Sequence, residues 1–191
     1  MELIKLNIPS EDEIEFQIAL VDEPAIESDY QVFKKDLESR YKFKEVDQSK
    51  KLLMGYFMIA DLEIPRFDRE RGEYKVVFPK DSIDKIVRNF SKNGINQNMN
   101  EMHQTGKLLD GVYVLHHWQL DADLGINSPT GFSDEADGSW FGVVRCENEE
   151  IYQKALNGEL KGFSIEGRFL EDAMFNKQLD NFFEELENLT K

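Results

Sequence analysis

Hydrophobic and polar residues alternate in short blocks along this chain, and that pattern predicts a mainly β fold. Six blocks alternate or run apolar over a few residues and end at glycine, proline or acidic turn residues, as strands do. They span residues 15–21, 52–64, 72–78, 109–120, 139–146 and 160–169. A turn-like segment, 68–72, separates the second block from the third, so these two strands are expected to form a hairpin or a meander.

One segment between the third and fourth blocks has helical spacing instead. Its apolar side chains recur at i, i+3, i+4 and i+7 and therefore share one face: Ile83, Ile86, Val87 and Phe90. Asp81 or Ser82 can cap this helix at its start, and Gly94 can end it. We expect the helix to cover one side of the sheet.

Two segments nearer the C-terminus are also predicted to be helical. Asn148 can cap a short helix over 149–157, and Gly158 can supply the left-handed residue that follows it. The tail repeats large apolar residues at spacings of four and three, which gives one helical seam: Phe175, Leu179, Phe182, Leu186 and Leu189. This tail helix can close the core, or it can expose a seam for a partner or a second copy of the chain, as in a homodimer.

The segment from Ser28 to Lys51 differs from its surroundings because Lys, Asp and Glu dominate it and apolar anchors are few. We interpret it as a loosely packed charged insert. A chain of 191 residues can bury one good hydrophobic core. The pattern therefore predicts one α+β domain, mainly β, over 1–170 with the insert at 28–51, followed by a C-terminal amphipathic helix over 171–191.

The formal net charge of −15 narrows the classes of partner that the chain is expected to bind. Binding to phosphate backbones needs concentrated Lys and Arg, so nucleic acid and anionic membranes are excluded as expected partners. No apolar run reaches the roughly 18–20 residues that cross a bilayer, and the first residues lack the features of a secretion leader. We expect the chain to stay in the cytoplasm, where its single Cys146 is a half-buried strand thiol.

Candidate chemistry begins with the histidines, of which there are three. Histidine is the side chain whose protonation changes near neutral pH, so it is the first candidate for a general base. His103 follows a polar turn-like run. His116 and His117 are consecutive in a predicted strand and must point to opposite faces, so only one of them can share a pocket with His103. Val112, Val114, His116 and Trp118 are expected to face one way.

A second motif is Ser164 in a strand bracketed by Gly162 and Gly167. Glycines at these positions let the backbone bend and leave N–H groups open beside the hydroxyl. The hydrolase elbow, in which glycines lie two residues either side of the serine at a strand-to-helix turn, does not apply because the spacing and the strand context differ. On the residues alone, Ser164 is a candidate nucleophile.

Several motifs taken together resemble the prohead, or capsid-maturation, proteases of tailed phages, and in particular the serine proteases of defective-prophage type. In chain order they are His103, the LDGVYV run at 109–114, Trp118, the GSWFGV run at 138–143 and the GELKGFSIEG run at 158–167, with further similarity at 19–26 and 72–90. The resemblance implies a fold similar to the herpesvirus assemblins, which is a compact β-barrel flanked by short helices.

The resemblance also carries roles over to particular positions. It implies His103 as general base and Ser164 as nucleophile, with a third member that varies. His116 is the first choice for that member, because one imidazole can orient another as in the His/Ser/His arrangement of assemblins. Glu166, two residues from Ser164 on the same strand face, is the alternative.

The oxyanion hole is expected among the backbone N–H groups of Ile165 and Gly167, with Arg168 as a further candidate. The implied reaction is acyl transfer through an acyl-enzyme, and it requires no cofactor or metal. A zinc site at His103, His116 and one carboxylate is the competing interpretation, but no HExxH or CxxC spacing supports it.

The resemblance implies a biological setting as well. The substrates would be the phage scaffold protein, the major capsid protein and the protease itself, inside an assembling procapsid in the host cytoplasm. The alternative is a catalytically inactive assembly protein that keeps the protease fold, with the acidic surface, the charged insert and the tail seam as its working parts.

Overall fold

The structure is a computed structural model that describes residues 2–8, 16–22, 40, 42–104, 106–132, 134–167 and 169–171. These residues form eleven strands and two helices. The strands are β1 (Glu2–Asn7), β2 (Phe16–Val21), β3 (Lys44–Asp47), β4 (Leu52–Met58), β5 (Ile64–Asp68), β6 (Gly72–Val77), β7 (Met99–Glu101), β8 (Val112–Gln119), β9 (Trp140–Cys146), β10 (Gly162–Gly167) and β11 (Leu170–Glu171). The helices are α1 (Lys80–Asn93) and α2 (Glu149–Leu156).

The strands group into three sheets. The orders are β10-β2-β7, β3-β4-β9-β8 and β11-β1-β6-β5. We call the first the site sheet and the second the large sheet. The mainly β, α+β class is confirmed, but the described strands close into no barrel, because each sheet keeps two edge strands. Residues 172–191 of the expected tail helix and the first part of the charged insert lie outside the described residues, and Glu171, the first residue of that expected helix, belongs to β11 instead.

The main hydrophobic core lies between the site sheet and the large sheet. Phe163 and Leu20 fill it from the site sheet, and Phe57 and Trp140 from the large sheet; all are at most 1 % exposed. The Phe57 ring packs edge-on against both Phe163 and Trp140, with centroids 5.0 and 4.9 Å apart. Each sheet therefore has one face in the core and one face turned away from it.

Two strand pairings differ from the prediction. The block predicted over 52–64 splits into β4, which pairs with β3 and β9, and the start of β5, which forms the hairpin with β6. Pro65 lies inside β5 and is tolerated there because β5 is an edge strand and needs no donor on its free side. The end of the predicted insert is also ordered, since β3 pairs with β4 and Phe43 packs on Phe163.

The prediction that Val112, Val114, His116 and Trp118 share one face of β8 is wrong, because the strand contains a β-bulge. Val114 pairs with Val144, but His116 pairs with Val143, so Leu115 is an extra residue. A bulge reverses the alternation beyond it. His117 consequently faces the main core, where its ring packs against Phe90 and Trp140, while the exposed His116 points away.

The two helices begin differently. The N-cap of α1 is Pro79, which makes no side-chain cap hydrogen bond, so the expected cap at Asp81 or Ser82 is wrong. Pro79 has extended backbone angles, and Gly94 ends the helix in the left-handed region at φ 60°, as expected. The N-cap of α2 is Asn148, whose side chain accepts from the Ile151 N–H as predicted.

Candidate active site

Ser164 lies in the middle of β10, on the face of the site sheet that points away from the core. Its neighbour Phe163 is fully buried in the core, and side chains alternate along a strand. The register aligns Ser164 with Ala19 of β2, and Ala19 with Asn100 of β7. Glu166 shares this face and lies about 7 Å further along the strand. The hydroxyl and the carboxylate thus occupy one surface.

His103 reaches this surface from a tight turn at the end of β7. The Gln104 N–H donates to the Glu101 carbonyl at 3.0 Å, and both central residues, Met102 and His103, have positive φ, of 51° and 56°. These are the features of a type I′ turn, which usually contains Asn and Gly rather than larger residues. The Met102 N–H also donates to the Leu20 carbonyl at 3.0 Å, which ties the turn to β2. The strained backbone is held by specific contacts.

The turn brings the His103 ring to Glu166. Nδ1 of His103 lies 3.7 Å from Oε2 of Glu166, and the two side chains are 42 % and 31 % exposed. The separation is longer than a hydrogen bond but within ion-pair range. A carboxylate beside one ring nitrogen can orient the imidazole and leave the other nitrogen free for a proton.

An amide network lies under this pair. Nδ2 of Asn100 donates to Oε1 of Gln17 at 2.6 Å and to Oε2 of Glu166 at 3.2 Å. Asn100 is fully buried. Asn100 could not be assigned from the sequence, because the run 96–100 has the polar composition of a turn, and Gln17 lies in a strand distant from it in sequence. The strand register, which places Asn100 across from Ala19, is the signal that finds it.

Helix α2 braces the same turn from the other side. Nζ of Lys154 lies 3.0 Å from Oε1 and 3.3 Å from Oε2 of Glu101, the first residue of the turn. It also lies 3.0 Å from Oε1 of Glu150 on its own helix. Hydrogen bonds to Glu101 and Glu150 raise the pKa of Lys154, so the ammonium remains charged near neutral pH.

His116 is not placed beside these groups. It lies on the face of the large sheet that points away from the main core, whereas Ser164 lies on the outward face of the site sheet. The core separates the two faces. His117 faces that core and accepts a hydrogen bond at Nδ1 from Nε1 of Trp140 at 3.3 Å. Burial lowers the pKa of His117, which is typical of a structural histidine.

The outer edge of β10 lies on the side away from β2. Lys42 forms an antiparallel bridge with Gly162, and the Phe43 N–H donates at 3.0 Å to the carbonyl just before that glycine. With this bridge geometry, the N–H groups of odd-numbered residues in β10 point to the outer edge, because backbone groups alternate sides along a strand. The N–H groups of Ile165 and Gly167 therefore point away from β2. Arg168 lies outside the described residues.

The described residues show neither a metal-binding cluster nor a thiol that ionises near neutral pH. The described residues contain no cluster of three or more His, Cys, Asp or Glu side chains placed to hold a metal ion. Cys146 is fully buried on β9, and burial raises the pKa of its thiol to about 11, so it remains protonated near neutral pH. In the part of the chain that the structure describes, no helix combines the length and apolar character that crossing a membrane demands.

Comparison with known proteins gives the family. The family model described as "Putative phage serine protease XkdF" matches residues 41–173, which is more than half of the 191 residues, so the chain belongs to that family. The matched region contains His103, Ser164 and Glu166. The resemblance to phage serine proteases is thereby confirmed. No curated protein and no solved structure matches the chain.

Proposed function

We propose that this member of a phage serine protease family is a serine endopeptidase with Ser164 as nucleophile and His103 as general base. The observation that carries the proposal is the contact of His103 with Glu166 on the strand face that also bears Ser164. Glu166, which the imidazole faces, lies two residues from Ser164 on the same side of β10. A turn with two strained residues holds the imidazole there, as backbone strain often does at functional sites.

Glu166 is the better third member of the site. Its Oε2 lies 3.7 Å from Nδ1 of His103, whereas the described core separates the outward face of His116 from that of Ser164. The order of roles is then carboxylate, imidazole and hydroxyl, as in other serine proteases. This choice replaces the His/Ser/His arrangement favoured by the sequence resemblance.

The reaction follows from these roles. His103 accepts the Ser164 proton as the serine oxygen attacks the peptide carbonyl, and it then gives that proton to the leaving amine. Water, deprotonated by His103, hydrolyses the resulting ester and regenerates the serine. The outward N–H groups of Ile165 and Gly167 are suited to stabilise the oxyanion, because fixed donors favour the charge that develops there.

The substrates that we propose are the phage scaffold protein and the major capsid protein, processed inside the assembling procapsid in the host cytoplasm. The phage family supports this setting, as do the sequence motifs shared with prohead proteases. The net charge of −15 favours basic partner surfaces over nucleic acid or anionic membranes. The apolar seam at 175–189 suits a homodimer in which the tail helices pair.

Substitution of the nucleophile tests the proposal. With Ser164→Ala, cleavage of co-expressed scaffold and capsid protein should fall by roughly 10³-fold or more, because the acyl-enzyme cannot form. Thermal unfolding should change little, since the half-exposed hydroxyl is replaced by a hydrogen. The measurement is the rate at which processed products appear by gel and intact mass. Ser91→Ala, on the exposed side of α1, is the matched control and should cleave normally.

Undiminished processing by the Ser164→Ala protein would contradict the enzyme assignment. Capsid assembly that needs the chain but not the Ser164 hydroxyl would then support the inactive assembly protein instead.

A further inference from the structure

Asn100 is a buried amide at the centre of the candidate site, with no role assigned to it so far. It is fully buried, although burying an amide is unfavourable unless its hydrogen bonds are satisfied. Its Oδ1 is buried and has no hydrogen-bond partner among the described residues. Buried polar groups that are incompletely satisfied are uncommon in folded proteins and call for an explanation.

The register places Asn100 where it can reach two strands. Asn100, Ala19 and Ser164 are aligned across β7, β2 and β10, and the three side chains point to the same face. The small Ala19 side chain separates the outer two strands, which are about 10 Å apart. A carboxylate from β10 and an amide from β7 can therefore meet over β2, and Asn100 donates to Glu166 there at 3.2 Å.

The shared oxygen links Asn100 to His103. Oε2 of Glu166 accepts from Nδ2 of Asn100 and also faces Nδ1 of His103 at 3.7 Å. A second bond from Nδ2 to Oε1 of Gln17, at 2.6 Å, fixes the amide itself. An asparagine adds a donor without adding a charge, so it can hold the carboxylate in place without neutralising its negative charge.

We propose that Asn100 is a positioning residue that acts through Glu166 to orient His103. The proposal rests on the proposed protease function for its kinetic consequence. The contact between Asn100 and Glu166 can be tested without any activity, which keeps the two failures separate.

The kinetic test is a double-mutant cycle. Asn100→Ala should lower kcat/KM for a scaffold-derived peptide by about 10- to 100-fold, carried by kcat, because a small misplacement of a catalytic group has effects of this size. In a Glu166→Gln background, Asn100→Ala should lower kcat/KM by less than about twofold, since the charged carboxylate that it positions against the imidazole is gone. The matched control is Asn89→Ala, which removes a different buried asparagine, located on α1. It should alter stability but not kcat.

The structural test uses side-chain amide signals in the NMR spectrum of the Ser164→Ala protein. The Asn100 amide pair, assigned by its loss in Asn100→Asp, should shift on Glu166→Gln. It should remain unchanged on Glu101→Gln, because Glu101 bonds to Lys154 instead. Such shifts require only folded protein, so they remain informative if the Asn100→Ala variant folds poorly.

The proposal is overturned if the Asn100 side-chain amide signals do not shift on Glu166→Gln. It is also overturned if the kinetic effects of Asn100→Ala and Glu166→Gln are additive. Processing that survives Ser164→Ala removes the protease function and leaves the Asn100 to Glu166 contact to be decided by the NMR shifts alone.

Discussion

At the scale of single residues, His116 and His117 have opposite environments although they are consecutive in sequence. His117 is half-buried between Phe90 and Trp140, and burial lowers its pKa below the ordinary value. His116 is exposed on the other face. The two histidines therefore form a natural pair for testing how the environment of an imidazole affects stability.

The lowered pKa of His117 predicts a pH dependence of folding. Above about pH 6.5, His117 is neutral in both the folded and the unfolded chain, and its full contribution to stability is present. As the pH falls below that value, the unfolded chain binds the proton first. Stability is lost until the pH reaches the lower pKa of the folded protein. The free energy of unfolding, measured with urea across this range, should lose this dependence in His117→Gln.

His116→Gln is the control and should keep the pH dependence of the wild type. An unchanged pH dependence in His117→Gln would show that the imidazole of His117 does not titrate differently on unfolding, and that its burial has been misjudged.

Single residues also set the limit of what the sequence could predict about the site. Ser164 and His103 could be named as candidates because serine between glycines and a scarce histidine suggest chemistry by residue type. The sheet face on which His116 lies could not be predicted, because the alternation of polar and apolar residues gives no sign of the extra residue at Leu115. Asn100 was missed because its contacts with Gln17 and Glu166 come from strands distant in sequence.

At the scale of elements, helix α2 contributes to the site by holding the His103 turn. Lys154 reaches Glu101 at the start of that turn, and both side chains are about three-quarters buried, at 27 % and 23 % exposed. The same helix carries a second ion pair, from Glu149 to Lys51 at 2.6 Å, which lies away from the turn. One helix thus provides a test pair and a control pair.

Loss of the ion pair between Lys154 and Glu101 should affect activity more than folding. Lys154→Met keeps the apolar stem but removes the charge, and we expect kcat to fall about two- to fivefold, which corresponds to the modest free energy of a partly exposed ion pair. Lys51→Met should leave kcat unchanged. Peptide-cleavage kinetics on the two variants make the comparison, and equal effects on kcat would show that the brace does not position His103.

The positions of the strands and helices were largely predictable from the sequence, but the pairing of the strands was not. The positions of β2, β6, β9 and β10 follow from short apolar or alternating blocks, and those of α1 and α2 from helical spacing. Pairing depends on contacts between distant segments, so the strand that pairs with β6 was expected over 52–64 rather than in β5, and β3 was not predicted within the charged insert. The predicted barrel failed for the same reason: closure depends on edge strands, and local patterns do not show which strands pair there.

At the scale of the whole molecule, the site is assembled from segments far apart in the chain. β2 precedes the matched family region at 41–173, yet it lies between β7 and β10 and joins the His103 turn to Ser164. The site therefore depends on a strand outside the family match. Our central proposal is that the fold brings the His103 imidazole and the Ser164 hydroxyl together for acyl transfer.

The most direct test of that claim is the rate at which a fluorophosphonate probe labels Ser164. The serine oxygen should displace fluoride and gain a phosphonyl group, which mass spectrometry of the peptide containing Ser164 would detect. We predict a single adduct at Ser164 in the folded protein, formed at least about 100-fold more slowly in His103→Ala because the general base is lost. An adduct on another serine, or labelling at the same rate in His103→Ala and in denatured protein, would contradict the account.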